Sequence, residues 1–131
     1  MGLHLKIIGV LLIILGLMHV VFPKRFNWKK ELSQLSLINR QMFQVHVFFI
    51  ALFVLLVGLM NVFLTEDLLT TKLGKWICRG LGFFWGIRSL IQWFGYSSKI
   101  WKGKFFETTM HLLFSFFWVY MSVIYFKIGL A

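Results

Sequence analysis

Three histidines and a glutamate lie within or beside long apolar stretches of this 131-residue chain, where ionisable side chains are rare and costly. They are His19, His46, His111 and Glu107, the last two spaced one helical turn apart. Three imidazoles with a carboxylate can bind a metal ion, and two imidazoles can bind a haem through its axial positions. The sequence therefore predicts a site for haem b or for a single metal ion at these four residues.

A second group of polar residues lies mostly within the third apolar stretch. Trp85, Arg88 and Gln92 share one face of a helix, and Asn39, just before the second stretch, lies on the same helix face as His46. The arginine could bind a haem propionate, a quinone oxygen or a lipid phosphate. The same residues could instead form a hydrogen-bond network that fixes helix register, with Arg88 paired with Glu107. The sequence leaves both interpretations open.

Several chemistries are excluded by what the sequence lacks. The single cysteine, Cys78, rules out a disulfide framework, a CxxC redox pair and a cysteine-based zinc site within one chain. Four carboxylates, of which only Glu107 is near an apolar stretch, are too few for a di-iron centre in a helical bundle. The motifs HExxH, CxxCH, GxSxG and the phosphate-binding loop are also missing. No catalytic residue is assigned, and whether the chain is an enzyme stays open.

The composition is that of a membrane protein. Hydrophobic residues make up 60% of the chain and charged residues 14%, whereas ordinary soluble domains have about 45–50% and about 25%. Four apolar runs, at about 5–22, 42–64, 76–96 and 105–126, approach or exceed the roughly 20 residues that cross a bilayer. The predicted fold is therefore all-α, a single four-helix transmembrane bundle over residues 1–131 with short loops and no soluble domain.

Basic residues are concentrated between the apolar runs, and the net charge is +10. We expect them to contact anionic lipid headgroups rather than nucleic acid. The loop sequence FNWKKELSQLSLINR has the spacing of a short interfacial helix at 27–39. The first and third loops hold eight lysines and arginines, among them Lys99, Lys102 and Lys104, against five on the other side. This asymmetry predicts that both termini lie outside, and residue usage favours a bacterial inner membrane.

Small residues recur every seven positions along the first and last predicted helices. They are Gly2, Gly9 and Gly16 in the first, and Thr108, Ser115, Ser122 and Gly129 in the last. Small residues in membrane helices mark places where backbones approach closely. We therefore infer that Gly9, Gly16, Ser115 and Ser122 lie at helix contacts, and that the first and last helices are neighbours.

The polar residues of the four runs fall at a similar depth, in the half of the membrane nearer the basic loops. This layer predicts a small membrane protein that binds a cofactor or other ligand, with haem b or a metal ion favoured over a quinone or a lipid. The alternative is a non-catalytic accessory subunit of a larger membrane complex, or a homo-oligomer, whose polar stripe contacts its partner.

Overall fold

A computed structural model describes residues 1–25, 27–95 and 103–131 of the chain. Every element in these residues is a helix, which confirms the prediction of an all-α fold. Lys99 and Lys102 of the predicted third basic loop lie outside the described residues, as does Tyr96 at the end of the third apolar run.

Four long helices overlap the four apolar runs, and three short helices lie between them. The elements are α1 (Gly2–Met18), α2 (Phe22–Arg25), α3 (Trp28–Leu32), α4 (Leu37–Phe63), α5 (Thr65–Thr70), α6 (Lys72–Phe94) and α7 (Phe105–Gly129). Helix α3 is shorter than the interfacial helix predicted at 27–39. The reason is Ser36, whose hydroxyl accepts a hydrogen bond from the Asn39 N–H and caps the start of α4.

The chain divides into two compact units, which are described separately. The N-terminal unit comprises residues 3–65, and the C-terminal unit comprises residues 66–131 together with residues 1–2. The single domain predicted over 1–131 stays a prediction.

Helices α1 and α4 of the N-terminal unit pack in opposite directions through glycines. A Cβ atom placed on Gly58 would lie 2.8 Å from the Gly9 carbonyl oxygen, so the two backbones are in direct contact there. A Cβ atom placed on Gly16 would lie 3.2 Å from the Ala51 carbonyl oxygen and from Leu55 Cβ of α4. Close approach of this kind is what small residues permit in helix pairs. Helix α4 has 27 residues and α1 has 17, a difference of ten residues.

Helices α6 and α7 of the C-terminal unit form an antiparallel hairpin. The Ser122 hydroxyl donates to the Gly82 carbonyl (2.9 Å), and the Arg79 Nε–H donates to the Gly129 carbonyl (2.6 Å). The second bond satisfies a carbonyl at the end of α7 that has no partner within its own helix. Gly9 and Gly16 contact α4, and Ser122 contacts α6. The predicted contact between the first and last helices stays a prediction.

Many large apolar side chains point outward from both units. Phe63 of α4 and Phe116 of α7 are exposed over about three quarters of their surface (76% and 74%). Among the described helices, α4 and α7 are long and apolar enough to cross a membrane. Helix α1 is shorter, with 17 residues, and α6 carries Lys72, Lys75, Arg79 and Arg88 along its length.

Candidate functional site

The side chain of Gln92 is the centre of a buried polar cluster in the C-terminal unit. Its Oε1 atom accepts hydrogen bonds from the Arg88 guanidinium (3.1 Å) and from the Trp118 indole N–H (3.2 Å). Its Nε2 atom lies 2.9 Å from His111 Nδ1. The Gln92 amide thus links His111 and Trp118 of α7 to Arg88 of α6. Gln92, His111 and Trp118 are all buried.

This arrangement determines the proton position on His111. An amide nitrogen only donates hydrogen bonds, so His111 Nδ1 is the acceptor in its contact with Gln92. The ring proton is therefore on Nε2. Turning the amide over would place its NH2 group against the two donors, Arg88 and Trp118. The three bonds consequently support one another.

The Arg88 guanidinium lies over an aromatic ring. Its Cζ atom lies 4.9 Å from the centre of the Trp118 ring, and Trp118 stacks on Trp85 with ring centres 5.0 Å apart. A cation over an indole face is stabilised by about 0.5–2 kcal/mol, depending on its exposure. Trp85 participates through its ring, since its buried N–H has no hydrogen-bond partner in the described part of the chain. Trp85, Arg88 and Gln92 are thus brought together, as the sequence predicted for one helix face.

Two further predicted residues belong to α7 near this cluster. Glu107 is half-buried in the first turn of α7, one turn before His111. The buried Ser115 hydroxyl donates to the His111 carbonyl oxygen (2.6 Å), which ties it to its own helix. The ion pair between Arg88 and Glu107 stays a prediction.

A cavity of about 780 Å³ lies within the N-terminal unit. One wall is α4, the other is the end of α1, and the α2–α3 segment lies at one end. Its lining is Gly16, His19, Val20, Pro23, Trp28, Lys29, Leu32, Ser33, Arg40, Gln44, Val47, Phe48, Ala51, Leu52 and Leu55. The polar members are concentrated around α3 and the first turns of α4, and the residues that follow along α4 are apolar. The cavity therefore has one polar end and one long apolar wall.

The two histidines of the N-terminal unit have different surroundings. His19 is half-buried and lines the cavity, and its Nδ1–H donates to the Leu15 carbonyl (2.9 Å). His46 is exposed, does not line the cavity, and makes the same type of bond to the Met42 carbonyl (2.6 Å). At 100° per residue, His46 lies on the opposite side of α4 from the lining residues Arg40, Gln44 and Ala51. The structure does not bring His19 and His46 to one wall of this unit.

The described residues contain no group of three or more His, Cys, Asp or Glu side chains that could hold a metal ion. The metal or haem site at His19, His46, His111 and Glu107 is therefore not shown by the structure and stays a prediction from the sequence. Asn39 is exposed, and its N–H bonds to Ser36 in the first turn of α4. It does not line the cavity.

The sequence alone does not indicate that Lys29 and Arg40 line a cavity. It places both in the first basic loop, at the level of the lipid headgroups. The available signal was the spacing of Arg40, Gln44, Val47, Ala51 and Leu55, which recur at three- and four-residue steps and so lie on one face of α4. The signal was weak because nothing in the sequence showed that α1 ends before it can cover this face.

Comparison of the chain with protein-family models, with curated protein sequences and with solved structures gives no match. The candidate sites are therefore interpreted from their own geometry.

The Gln92 cluster predicts a specific loss of stability. Replacement Gln92→Leu removes the acceptor shared by Arg88 and Trp118 and the donor to His111, so we expect destabilisation of about 1–3 kcal/mol. Gln92→Glu keeps the acceptor for both donors and should be much closer to the wild-type protein. The measurement is thermal unfolding in detergent, followed by the near-ultraviolet circular dichroism of the stacked tryptophans. Gln41→Leu, the same change at an exposed position, is the control. Equal unfolding midpoints for Gln92→Leu and Gln41→Leu would contradict the role of the cluster.

Proposed function

We propose that the chain is an integral membrane protein that binds an amphiphilic small molecule in the cavity of its N-terminal unit. The observation that carries the proposal is the form of that cavity, which has basic and polar side chains at one end and an apolar wall along α4. Its volume of about 780 Å³ is within the range of about 300–1,000 Å³ typical of ligand pockets.

The membrane assignment is supported by the outward side chains of the helices. Helices α4 and α7 carry many exposed large apolar side chains, and both are long and apolar enough to cross a bilayer. We extend the assignment to α1 and α6, which gives a four-span bundle. In α6 the cations that oppose insertion have partners within the hairpin: Arg79 bonds to the end of α7, and Arg88 bonds to Gln92. Satisfying polar groups within the protein is the condition for placing them in lipid.

The orientation follows from the basic residues of the first loop. Placing the α2–α3 segment on the cytoplasmic side agrees with the preference of lysine and arginine for that side. Both termini are then outside, and a bacterial inner membrane is the proposed location. Trp28, which is half-buried and contacts Phe43 with ring centres 5.2 Å apart, would lie at the level of the headgroups.

The choice of ligand class rests on the residues that line the cavity. An axial haem site needs two histidines on facing walls, whereas His19 is the lining histidine and His46 lies across α4. An amphiphile requires apolar contact along its length and polar partners at one end, and both are present. Among the ligands that the sequence leaves open, a lipid or a quinone therefore fits better than haem or a metal ion. The proposed role is binding, without an assigned catalytic step.

The proposed topology predicts which sites react from each side of the membrane. After replacement of Cys78, single cysteines are introduced at Ser33 in the first loop and at Thr70 in α5, both of which are exposed. An impermeant thiol reagent added to intact cells should label position 70 and should label position 33 only after the membrane is opened. Labelling of both positions from the same side would contradict the four-span topology.

The proposed binding site predicts the effect of filling the cavity. Replacement Val47→Trp adds bulk to the apolar wall and should weaken binding of a fluorescent fatty acid, such as cis-parinaric acid, by about tenfold or more, equivalent to about 1.4 kcal/mol. Ile50→Trp, on the same helix but at an exposed position that does not line the cavity, should bind the probe as the wild-type protein does. Titrations are made with the full chain in nanodiscs. Wild-type protein that binds no probe, or equal binding by both variants, would contradict the proposal, and co-purification of such protein with a larger complex would favour the accessory-subunit hypothesis.

A further inference from the structure

The polar end of the N-terminal cavity carries basic side chains and no acidic ones. Lys29 of α3 and Arg40 of α4 line it, and none of the described lining residues is an aspartate or a glutamate. Glu31 is exposed and does not line the cavity. Between residues 24 and 40 the sequence has five basic residues and one acidic residue. This end of the cavity therefore attracts anions.

The guanidinium of Arg40 differs from those of Arg79 and Arg88. Arg79 bonds to a backbone carbonyl, and Arg88 contacts both Gln92 and the Trp118 ring. Arg40 is half-buried, and within the described part of the chain its side chain has no hydrogen bond, acidic partner or aromatic ring. A guanidinium presents five donors in a planar fork, and leaving a partly buried charge without compensation is destabilising. An anion bound in the cavity would supply the missing acceptors.

His19 adds a polar atom of a different kind to the cavity. Its Nδ1–H is used by the Leu15 carbonyl, which can only accept. In the neutral ring, Nε2 is therefore an acceptor, which suits a hydroxyl group of a ligand. The lining of the cavity thus includes two cations and one acceptor, groups that a protonated phosphate or a phosphate ester with a free hydroxyl group can use.

The apolar wall has the length needed for an acyl chain. From Arg40 to Leu55, α4 rises about 22 Å at 1.5 Å per residue. Half of the hydrocarbon core of a bilayer is about 15 Å thick. A lipid whose phosphate lies at the level of Arg40 would have apolar lining residues, such as Val47 and Ala51, along the whole depth of its leaflet.

We propose that the cavity binds an anionic phospholipid, with its phosphate at Arg40 and Lys29 and an acyl chain along α4. This assignment rests on the proposed amphiphile-binding function and specifies its ligand. Arginine binds phosphate oxygens through two parallel hydrogen bonds, and lysine adds a point charge. A choline lipid with the same acyl chains would bring a cation to the same basic end, so its binding is weaker.

The test is native mass spectrometry of the full chain titrated with two lipids that have identical oleoyl chains, phosphatidic acid and phosphatidylcholine. We expect phosphatidic acid to bind the wild-type protein about tenfold to a hundredfold more tightly, the range expected for hydrogen bonds to a charged group. Arg40→Gln combined with Lys29→Gln should abolish this preference, and Arg40→Lys should retain part of it. Lys30→Gln is the matched control because Lys30 is adjacent to Lys29 but does not line the cavity. Millimolar inorganic phosphate should not displace the lipid, because it lacks the acyl chain.

The outcomes separate this inference from the function on which it rests. Equal affinity of the wild-type protein for both lipids, with binding lost in Val47→Trp, would overturn the anionic assignment and leave the amphiphile-binding function in place. The anionic assignment is also overturned if Lys30→Gln lowers the preference for phosphatidic acid as much as the double variant does, because general surface charge would then explain that preference. Displacement by inorganic phosphate would indicate a simple anion site. Absence of binding by either lipid would overturn both proposals. The comparison of lipids on wild-type protein does not depend on the folding of any variant.

Discussion

The difference in length between α1 and α4 shapes the N-terminal unit. The two helices contact each other through Gly9, Gly16 and Gly58, but α1 ends at Met18 while α4 continues in the opposite direction for about ten more residues, or about 15 Å. The first turns of α4 must then be covered by α2 and α3. These helices have four and five residues, too few to cover the same length of α4, and a cavity remains beside Arg40 and Val47.

In the C-terminal unit, by contrast, the two long helices are similar in length. Helices α6 and α7 have 23 and 25 residues, so each covers the other along nearly its whole length. Several of their polar side chains bond across the hairpin, as Gln92 does with His111 and Ser122 does with the Gly82 carbonyl. Arginine residues therefore have different roles in the two units. Arg88 stabilises the hairpin through Gln92 and Trp118, whereas Arg40 lines the cavity and is proposed to bind the ligand.

The sequence predicted the helical class and the positions of the long helices, because apolar runs of this length specify helices through backbone hydrogen bonding alone. It did not indicate the contacts of Gly9 and Gly16 with α4 or of Ser122 with α6, since in lipid a small residue identifies a contact face but not the helix that will occupy it. The sequence also did not indicate where α1 ends. The apolar residues continue to Phe22, but the N–H groups of His19, Val20 and Val21 bond to carbonyls three residues earlier, which closes the helix four residues sooner than composition indicates. The cavity depends on this local change, and so it could not be read from hydropathy.

Photo-crosslinking tests whether an amphiphile occupies the cavity of the N-terminal unit. The full chain in nanodiscs is irradiated with a phosphatidic acid that carries a diazirine in its acyl chain, and the modified peptides are sequenced by mass spectrometry. We expect adducts concentrated on Val47, Ala51 and Leu55, which saturate with lipid concentration and decrease when unlabelled phosphatidic acid is added. Adducts spread over outward-facing residues such as Phe63 and Phe116, without saturation, would contradict it.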